Sequence, residues 1–241
     1  MAPYLTASPS PACADQLYRW HLQMSGALWE LIAVVEVGLR NAIDRELRIW
    51  NASQPAFIGA SGQRTDPSED WLAKPLGPLW ELLNPRTRQG YRKSTGQSAL
   101  RQASNARNDR PAGHPRANSP IVHDDLVASL TMGTWNKLLP DRTANGSRRH
   151  RLDRLWNEAL HKSFPGAGPG PVAYWVRELH SARNRIAHHE PAIYIDALSH
   201  HRKAARLLRS IDPWLGDWCA GTSRVPAVWS GRPPWAPAPL R

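Results

Sequence analysis

Apolar and polar positions alternate along the chain with the three- and four-residue spacing of helices. From Ala14 to about Trp50, apolar side chains recur at Leu17, Trp20, Met24, Leu28, Leu31, Val35, Leu39, Ile43 and Leu47. One buried stripe on one long helix is the expected result. Residues 51–70 (NASQPAFIGASGQRTDPSED) are rich in Gly, Ser, Pro and Asp and read as a loop. A short helix is expected around Trp71–Leu83, confined or interrupted by Pro75 and Pro78. Helical patterning returns in HDDLVASLTMGTWNKLL (123–139), with Asp124 or Asp125 near its start and Pro140 at its end. A further amphipathic helix over 147–164 uses Leu152, Leu155, Trp156 and Leu160, and PGAGPGP (165–171) breaks the pattern. The helix that follows carries ARNRIAHHEPAI (182–193), and a last one, from about Asp196 to Ile211, uses Ala197, Ala204, Leu207 and Leu208.

No segment alternates as a strand would, and no internal repeat is present. The fold class expected is all-α: about five helices in a bundle with long, unequal loops. A single domain over 14–211 is expected, after a flexible N-terminus (1–13) and before an extended Pro/Trp-rich tail (212–241).

Composition adds a charge asymmetry. The chain has 241 residues, 41% hydrophobic and 21% charged, enough apolar content for a packed core. Its net charge of +11 is concentrated: residues 86–116 hold seven Arg and one Lys against the single acid Asp109. Apolar residues are scarce there, so 84–120 is expected to be a flexible basic insertion. It reads either as a solvated surface loop or as a nucleic-acid contact made by Arg86, Arg88, Arg92, Lys93, Arg101 and Arg107. Two cysteines, Cys13 and Cys219, form neither a disulfide framework nor a zinc motif. No run of apolar residues approaches the ~18 needed to cross a bilayer, and the N-terminus lacks the parts of a secretory signal. A soluble, cytoplasmic protein without membrane contact is the expectation.

The candidate chemistry lies in 182–193. Advancing ~100° per residue from Leu179 places Trp175, Val176, Ala182 and Ile186 on the buried face. Arg183 falls near its edge, and Asn184 and His188 point away together. A continuous helix would carry this pair until Pro191 stops it. An outward polar pair is ordinarily a solvated surface; two readings of its chemistry compete with that. A metal site is disfavoured, because the adjacent His188 and His189 cannot share one ion and no H-E-x-x-H is present. Phosphodiester cleavage fits the residue types better. RNA supplies its own 2′-OH nucleophile, histidine shuttles protons near neutral pH, and arginine's fork holds phosphoryl oxygens. One histidine cannot be both acid and base, so two copies of the motif meeting in a homodimer would complete the site.

RNRIAH (183–188) matches the R-x(4–6)-H signature of HEPN ribonucleases, and ARNRIAHHEP resembles the Abi-like (abortive infection) branch of that superfamily. Two other blocks support the resemblance. LYRWHLQMSGALWELIAVVEVGLRNAID (17–44) is similar to the family's first helix with its E-V-x-L-R-N core. VASLTMGTWNKLL (127–139) resembles its L-T-F-G-F-W block, with Met132 and Thr134 replacing two aromatics. The resemblance covers roughly 15–210 and implies a dimeric helical bundle acting as a metal-independent, cofactor-free endoribonuclease. Carried over, Arg183 would stabilise the phosphate, Asn184 would orient, and His188 would be general acid or base. His189 and Glu190 follow the family pattern as site-ordering or capping residues. Glu36 and Arg40, four apart, read either as an ion pair or, through Arg40 and Asn41, as the lining of an RNA groove. The resemblance implies a toxin or phage-defence effector, with a non-coding RNA or protein antitoxin as partner. Its alternatives are a non-catalytic HEPN module that binds RNA or a protein, and the HEPN half of a pair with a nucleotidyltransferase.

Overall fold

The structure is a computed structural model and describes residues 2–58, 62 and 64–239. It is mostly helical, as the patterning predicts. Two helices come first: the short α1 (Ala2–Thr6) and then the long α2 (Pro11–Ala52). A two-stranded hairpin follows, β1 (Phe57–Ile58) paired antiparallel with β2 (Arg64–Thr65). After it come α3 (Gly77–Leu83), α4 (Thr95–Asn108), α5 (His123–Ala128), α6 (Met132–Leu138) and α7 (Gly146–Glu158), closed by a 3₁₀ turn at Leu160–Ser163. The chain ends with α8 (Pro169–Ala187), a 3₁₀ turn (Ala192–Tyr194), α9 (Ala197–Ile211), α10 (Pro213–Thr222) and α11 (Val225–Ser230).

Instead of one domain over 14–211, the chain forms two compact units. The first comprises residues 1–39 and 164–241, the second residues 40–163, and α2 contributes to both. All nine apolar positions of its predicted stripe are buried. By length and composition alone α2 could cross a membrane, against the expectation that no run comes near this. Its buried stripe is that of a core helix.

In the first unit α9 packs against α8, α10 and α11. Leu207 and Leu208 of α9, Val172, Val176 and Leu179 of α8, and Leu17, Met24 and Leu28 of α2 are all fully buried. At Gly216 a Cβ would sit 2.6 Å from the backbone nitrogen of Arg209, so only glycine allows α10 to turn back this closely onto α9. Within the first 13 residues, expected to be flexible, Ala2–Thr6 form α1 and Tyr4 is buried edge-on against Tyr18 at 5.1 Å. Met1 lies outside the described residues. Nor is 212–241 an extended tail, since Pro213 and Pro226 open α10 and α11 at first-turn positions, where a missing N–H costs nothing. Among the described residues of this stretch, Asp212, Ser223, Arg224 and those from Gly231 onward lack helix; Leu240 and Arg241 lie outside the described part.

In the second unit α3 packs against α7, and α4 against α5. Buried Asn51 organises the loop after the hairpin: its Nδ2 donates to Ser68 O (2.7 Å) and Lys74 O (3.0 Å), and its Oδ1 accepts from Leu76 N (3.0 Å). Gly59, Ala60, Ser61 and Gln63, within the expected loop, lie outside the described residues. The basic segment departs from expectation, because residues 95–108 form α4, capped by Ser94. Its buried face is Gly96, Ala99 and Ala103. Gly96 approaches so closely that a Cβ would meet Leu72 O at 2.1 Å. The segment 123–139 is two helices, α5 and α6, rather than one. The expected helix around 71–83 is reduced to α3, which Pro78 opens.

Candidate active site

The motif occupies the end of α8, and its geometry follows from how that helix stops. Val172, Val176, Leu179, Ala182 and Ile186 bury one face, so the core pattern runs into the motif as expected. The helix does not continue to Pro191. It ends at Ala187, with His188 as C-cap and His189 in the left-handed region at φ 55°. Two backbone bonds close the end: Glu190 N to Arg185 O (2.9 Å) and His189 N to Ile186 O (3.0 Å). This is a Schellman motif with histidine in the place glycine ordinarily takes. An ion pair between Arg185 Nε and Glu190 Oε2 (2.9 Å) stands where a hydrophobic contact often supports such an end.

The loop leaving the helix is fastened to distant parts of the unit. Ala192 N donates to Nδ1 of buried His21 on α2 at 2.8 Å, and Ser25 Oγ lies 3.4 Å from the same nitrogen. Nδ1 is thus the acceptor of the Ala192 N–H. Burial pulls the pKa of His21 below its ordinary value, and the charge of His189 pulls it further the same way. Arg232, near the chain end, reaches Ile193 O at 3.4 Å and lies over the rings of Trp20 and Trp229.

Of the predicted catalytic residues, Asn184 and His188 lie one turn apart, and His188 is exposed. His188 N donates to Asn184 O at 3.0 Å. Asn184 Nδ2 donates to Nε2 of His180 at 3.3 Å. His180, Asn184 and His188 therefore form a polar stripe at i, i+4 and i+8. His180 was the member that sequence reasoning passed over, although its spacing was visible. Arg183 is half-buried, with its guanidinium 5.5 Å from the ring centroid of Trp29 on α2. No hydrogen bond joins Arg183 to His188 among the described residues. His189 and Glu190 belong to the helix-ending turn.

Beside the motif, α8 and α9 enclose a cleft of about 470 Å³ lined by Tyr174, Glu178, Arg185, Asp196, His200 and Lys203, among others. Lys203 Nζ pairs with Glu178 Oε2 at 2.9 Å. Burial, with the charge of Lys203, lowers the His200 pKa to about 4, which keeps this ring neutral at physiological pH.

The remaining candidates are dispersed. Glu36 is half-buried in the first unit, and no ion pair joins it to Arg40 among the described residues. Arg40 and Asn41 belong to the second unit, where they line a cleft of about 440 Å³ with Asp44, Arg45, Arg48 and Asp124. His123 bridges Asp44 of this lining (2.9 Å from Nε2) and Asp70 (2.8 Å from Nδ1). Asp44 also accepts from Trp71 Nε1 (2.8 Å) and Arg48 Nε (2.9 Å). Burial opposes a charged His123, but the hydrogen bonds and charges of both aspartates outweigh it and raise its pKa. For Asp44, burial is likewise outweighed, by its bonds from His123 and Trp71, and its pKa is lowered.

Arg86 and Arg88 are exposed, as are Lys93 and Arg101; Arg107 is half-buried in the last turn of α4. Arg92 is committed within the chain. It pairs with Glu81 at 3.1 Å, donates to Asn84 O at 2.8 Å and lies 4.3 Å over the Trp80 ring. Among the described residues no group of three or more His, Cys, Asp or Glu side chains is placed to hold a metal ion. No family model, curated protein or solved structure matches this chain.

Proposed function

We propose that the protein is a metal-independent endoribonuclease of the HEPN type, acting as a homodimer in the cytoplasm as a toxin or abortive-infection effector. The observation that carries this reading is the end of α8. It leaves the His188 imidazole exposed at the helix terminus, one turn beyond Asn184, with Arg183 beside them. In the reaction, the 2′-oxygen of RNA forms a bond to phosphorus while the bond to the 5′-oxygen breaks. A base takes the 2′ proton and an acid returns one to the leaving oxygen, giving a 2′,3′-cyclic phosphate and a 5′-hydroxyl. His188 serves one of these roles, and Arg183 compensates the charge developing on the phosphoryl oxygens.

His180 does not supply the second proton carrier from the same chain. Eight residues of helix separate it from His188 by roughly 12 Å along the axis. That is too far for both rings to serve one phosphate. His180 instead orients Asn184, and the second imidazole comes from the motif of the other protomer. A non-coding RNA or protein antitoxin restrains the activity. The test is cleavage of single-stranded RNA in EDTA by the wild type and His188→Ala. Cyclic phosphate ends from the wild type and none from the variant are expected. Strict dependence on added Mg²⁺, or full activity of the variant, overturns the mechanism.

The stacking of Arg183 on Trp29, away from hydrogen-bonding reach of His188, favours a second reading: a non-catalytic module that binds RNA. Salt-sensitive RNA binding without turnover would distinguish it.

A further inference from the structure

The second unit contains a cleft of about 530 Å³ whose wall carries three cations, Lys93, Lys137 and Arg148. Among the described residues no Asp or Glu lines it. Several other arginines of the unit are matched by acids. Arg92 is held by Glu81, Arg154 by Glu158, Arg48 by Asp44 and Asp124, and Arg110 and Arg116 by Asp125. Lys93, Lys137 and Arg148 enter no ion pair among the described residues. Arg148 donates instead to Lys137 O at 2.8 Å, which fixes its guanidinium at the end of α6 and leaves its charge uncompensated. Three like charges gathered in one concavity repel, and a bound anion relieves that repulsion.

Two further features define the ligand. The hydroxyls of Thr95 and Thr134 also line the cleft, adding uncharged hydrogen-bonding groups suited to phosphoryl or sugar oxygens. Its floor is apolar, built from the buried side chains of Leu82, Leu83 and Leu138. An inorganic phosphate would use only the rim and leave the floor dry and empty. The volume falls in the range of small-molecule sites, roughly 300–1,000 Å³.

We propose that this cleft binds a nucleoside phosphate, with the phosphate on Lys93, Lys137 and Arg148 and the nucleoside body on the leucine floor. The same chemistry comes from a free nucleotide or from the phosphorylated end of an RNA. The proposal does not depend on the ribonuclease reading, because every residue it uses belongs to the second unit and binding is measured without turnover.

The test is calorimetric titration of the full-length protein with ADP, inorganic phosphate, and a four-nucleotide RNA, 2′-O-methylated so that it has no nucleophile for cleavage, with or without a 5′-phosphate. Saturable binding of ADP or of the 5′-phosphorylated RNA is expected, weakened at least tenfold in a Lys93→Ser/Lys137→Ser double variant. Both lysines are exposed, so the double variant should keep the wild-type melting temperature. Thr134→Leu, which removes a hydroxyl and narrows the cleft, should weaken binding independently. Lys162→Ser, at an exposed basic site of the same unit outside the lining, should leave affinity within twofold. Tighter ADP identifies a free nucleotide, and tighter 5′-phosphorylated RNA identifies an RNA end; either outcome supports the site. The proposal is overturned if no nucleotide or RNA saturates, if phosphate alone binds as tightly as both, if Lys162→Ser weakens binding as much as the double variant, or if the double variant binds unchanged.

Discussion

The backbone N–H of Ala192 donates to Nδ1 of His21 at 2.8 Å, although the two residues are 171 positions apart. That bond fastens the turn after the RNRIAH motif to α2, and both partners are buried. Removing the imidazole leaves a buried N–H without its acceptor, a cost of ~1–3 kcal/mol. His21→Ala should therefore destabilise the first unit by about that amount and speed hydrogen exchange at Ala192 above all. Exchange at Ala192 no faster than in the wild type would show that the turn is held by other contacts.

The sign of its pH dependence follows from the burial of the same imidazole. His21 has a folded pKa below the ordinary 6.5, so the unfolded chain takes up the proton first as pH falls. His200 behaves alike, with a folded value of about 4. Stability of the first unit should be full above pH 6.5 and decline as pH falls from 6.5 toward 4. The His200 contribution is at most roughly 3 kcal/mol across that window. Urea denaturation at pH 7.5 and 5, followed by exchange protection within α8 and α9, checks this. A His200→Gln variant should be less sensitive to acid.

The second unit should respond in the opposite direction. His123 has a raised pKa, so its contribution is full below 6.5 and is lost as pH climbs through the folded value. Asp44 has a lowered pKa, so its contribution is present above 3.8 and is lost only in stronger acid. The network of His123 with Asp44 and Asp70 is thus strongest between 3.8 and 6.5. His123→Ala should cost more at pH 5.5 than at an alkaline pH above the folded value, where the wild type has lost the charge. An equal cost at both pH values would mean that packing against Trp71, 5.9 Å away edge-on, is what His123 contributes.

His189 holds a left-handed conformation that costs a non-glycine residue roughly 1–2 kcal/mol. His189→Gly should raise stability by about 1 kcal/mol, partly offset by glycine's greater freedom in the unfolded chain. His189→Val should lower it, because a β-branched residue fits φ 55° poorly. If glycine also lowered RNA cleavage while stability rose, the histidine side chain would have a role beyond ending the helix.

Where the core face of a helix is made of large apolar side chains, the sequence pattern identifies it. The stripe of α2, Leu152, Leu155 and Trp156 of α7, and Leu207 and Leu208 of α9 are all buried as their spacing predicts. α4 escaped because its buried face is Gly96, Ala99 and Ala103, which carry almost no hydrophobic signal. α10 and α11 escaped because prolines that open a helix look, in sequence alone, like prolines that forbid one. At the candidate site the residue types were legible but the helix end was not. Nothing local announces that His189, rather than a glycine, will take the left-handed position. The partnership of His21 with Ala192 depends on packing that brings together the two ends of the first unit's sequence.

The role of Arg183 turns on Trp29, whose exposed ring lies 5.5 Å beneath the guanidinium. Such a contact is worth ~0.5–1 kcal/mol at an exposed site. If Arg183 were only structural, Trp29→Leu and Arg183→Ala would each lower stability by about this amount and share one coupling energy in a double-mutant cycle. If Arg183 compensates phosphoryl charge, Arg183→Ala should reduce RNA cleavage by about 100-fold or more, as loss of one transition-state donor does elsewhere. Trp29→Leu, which keeps the guanidinium but releases it from its rest, should then reduce cleavage much less, within roughly tenfold. Arg183→Lys separates charge from geometry: it keeps the cation but loses the planar fork, so most of the activity should be lost with stability nearly unchanged. Equal cleavage by wild type, Arg183→Lys and Arg183→Ala would remove Arg183 from the active site and leave it as a brace between α8 and α2.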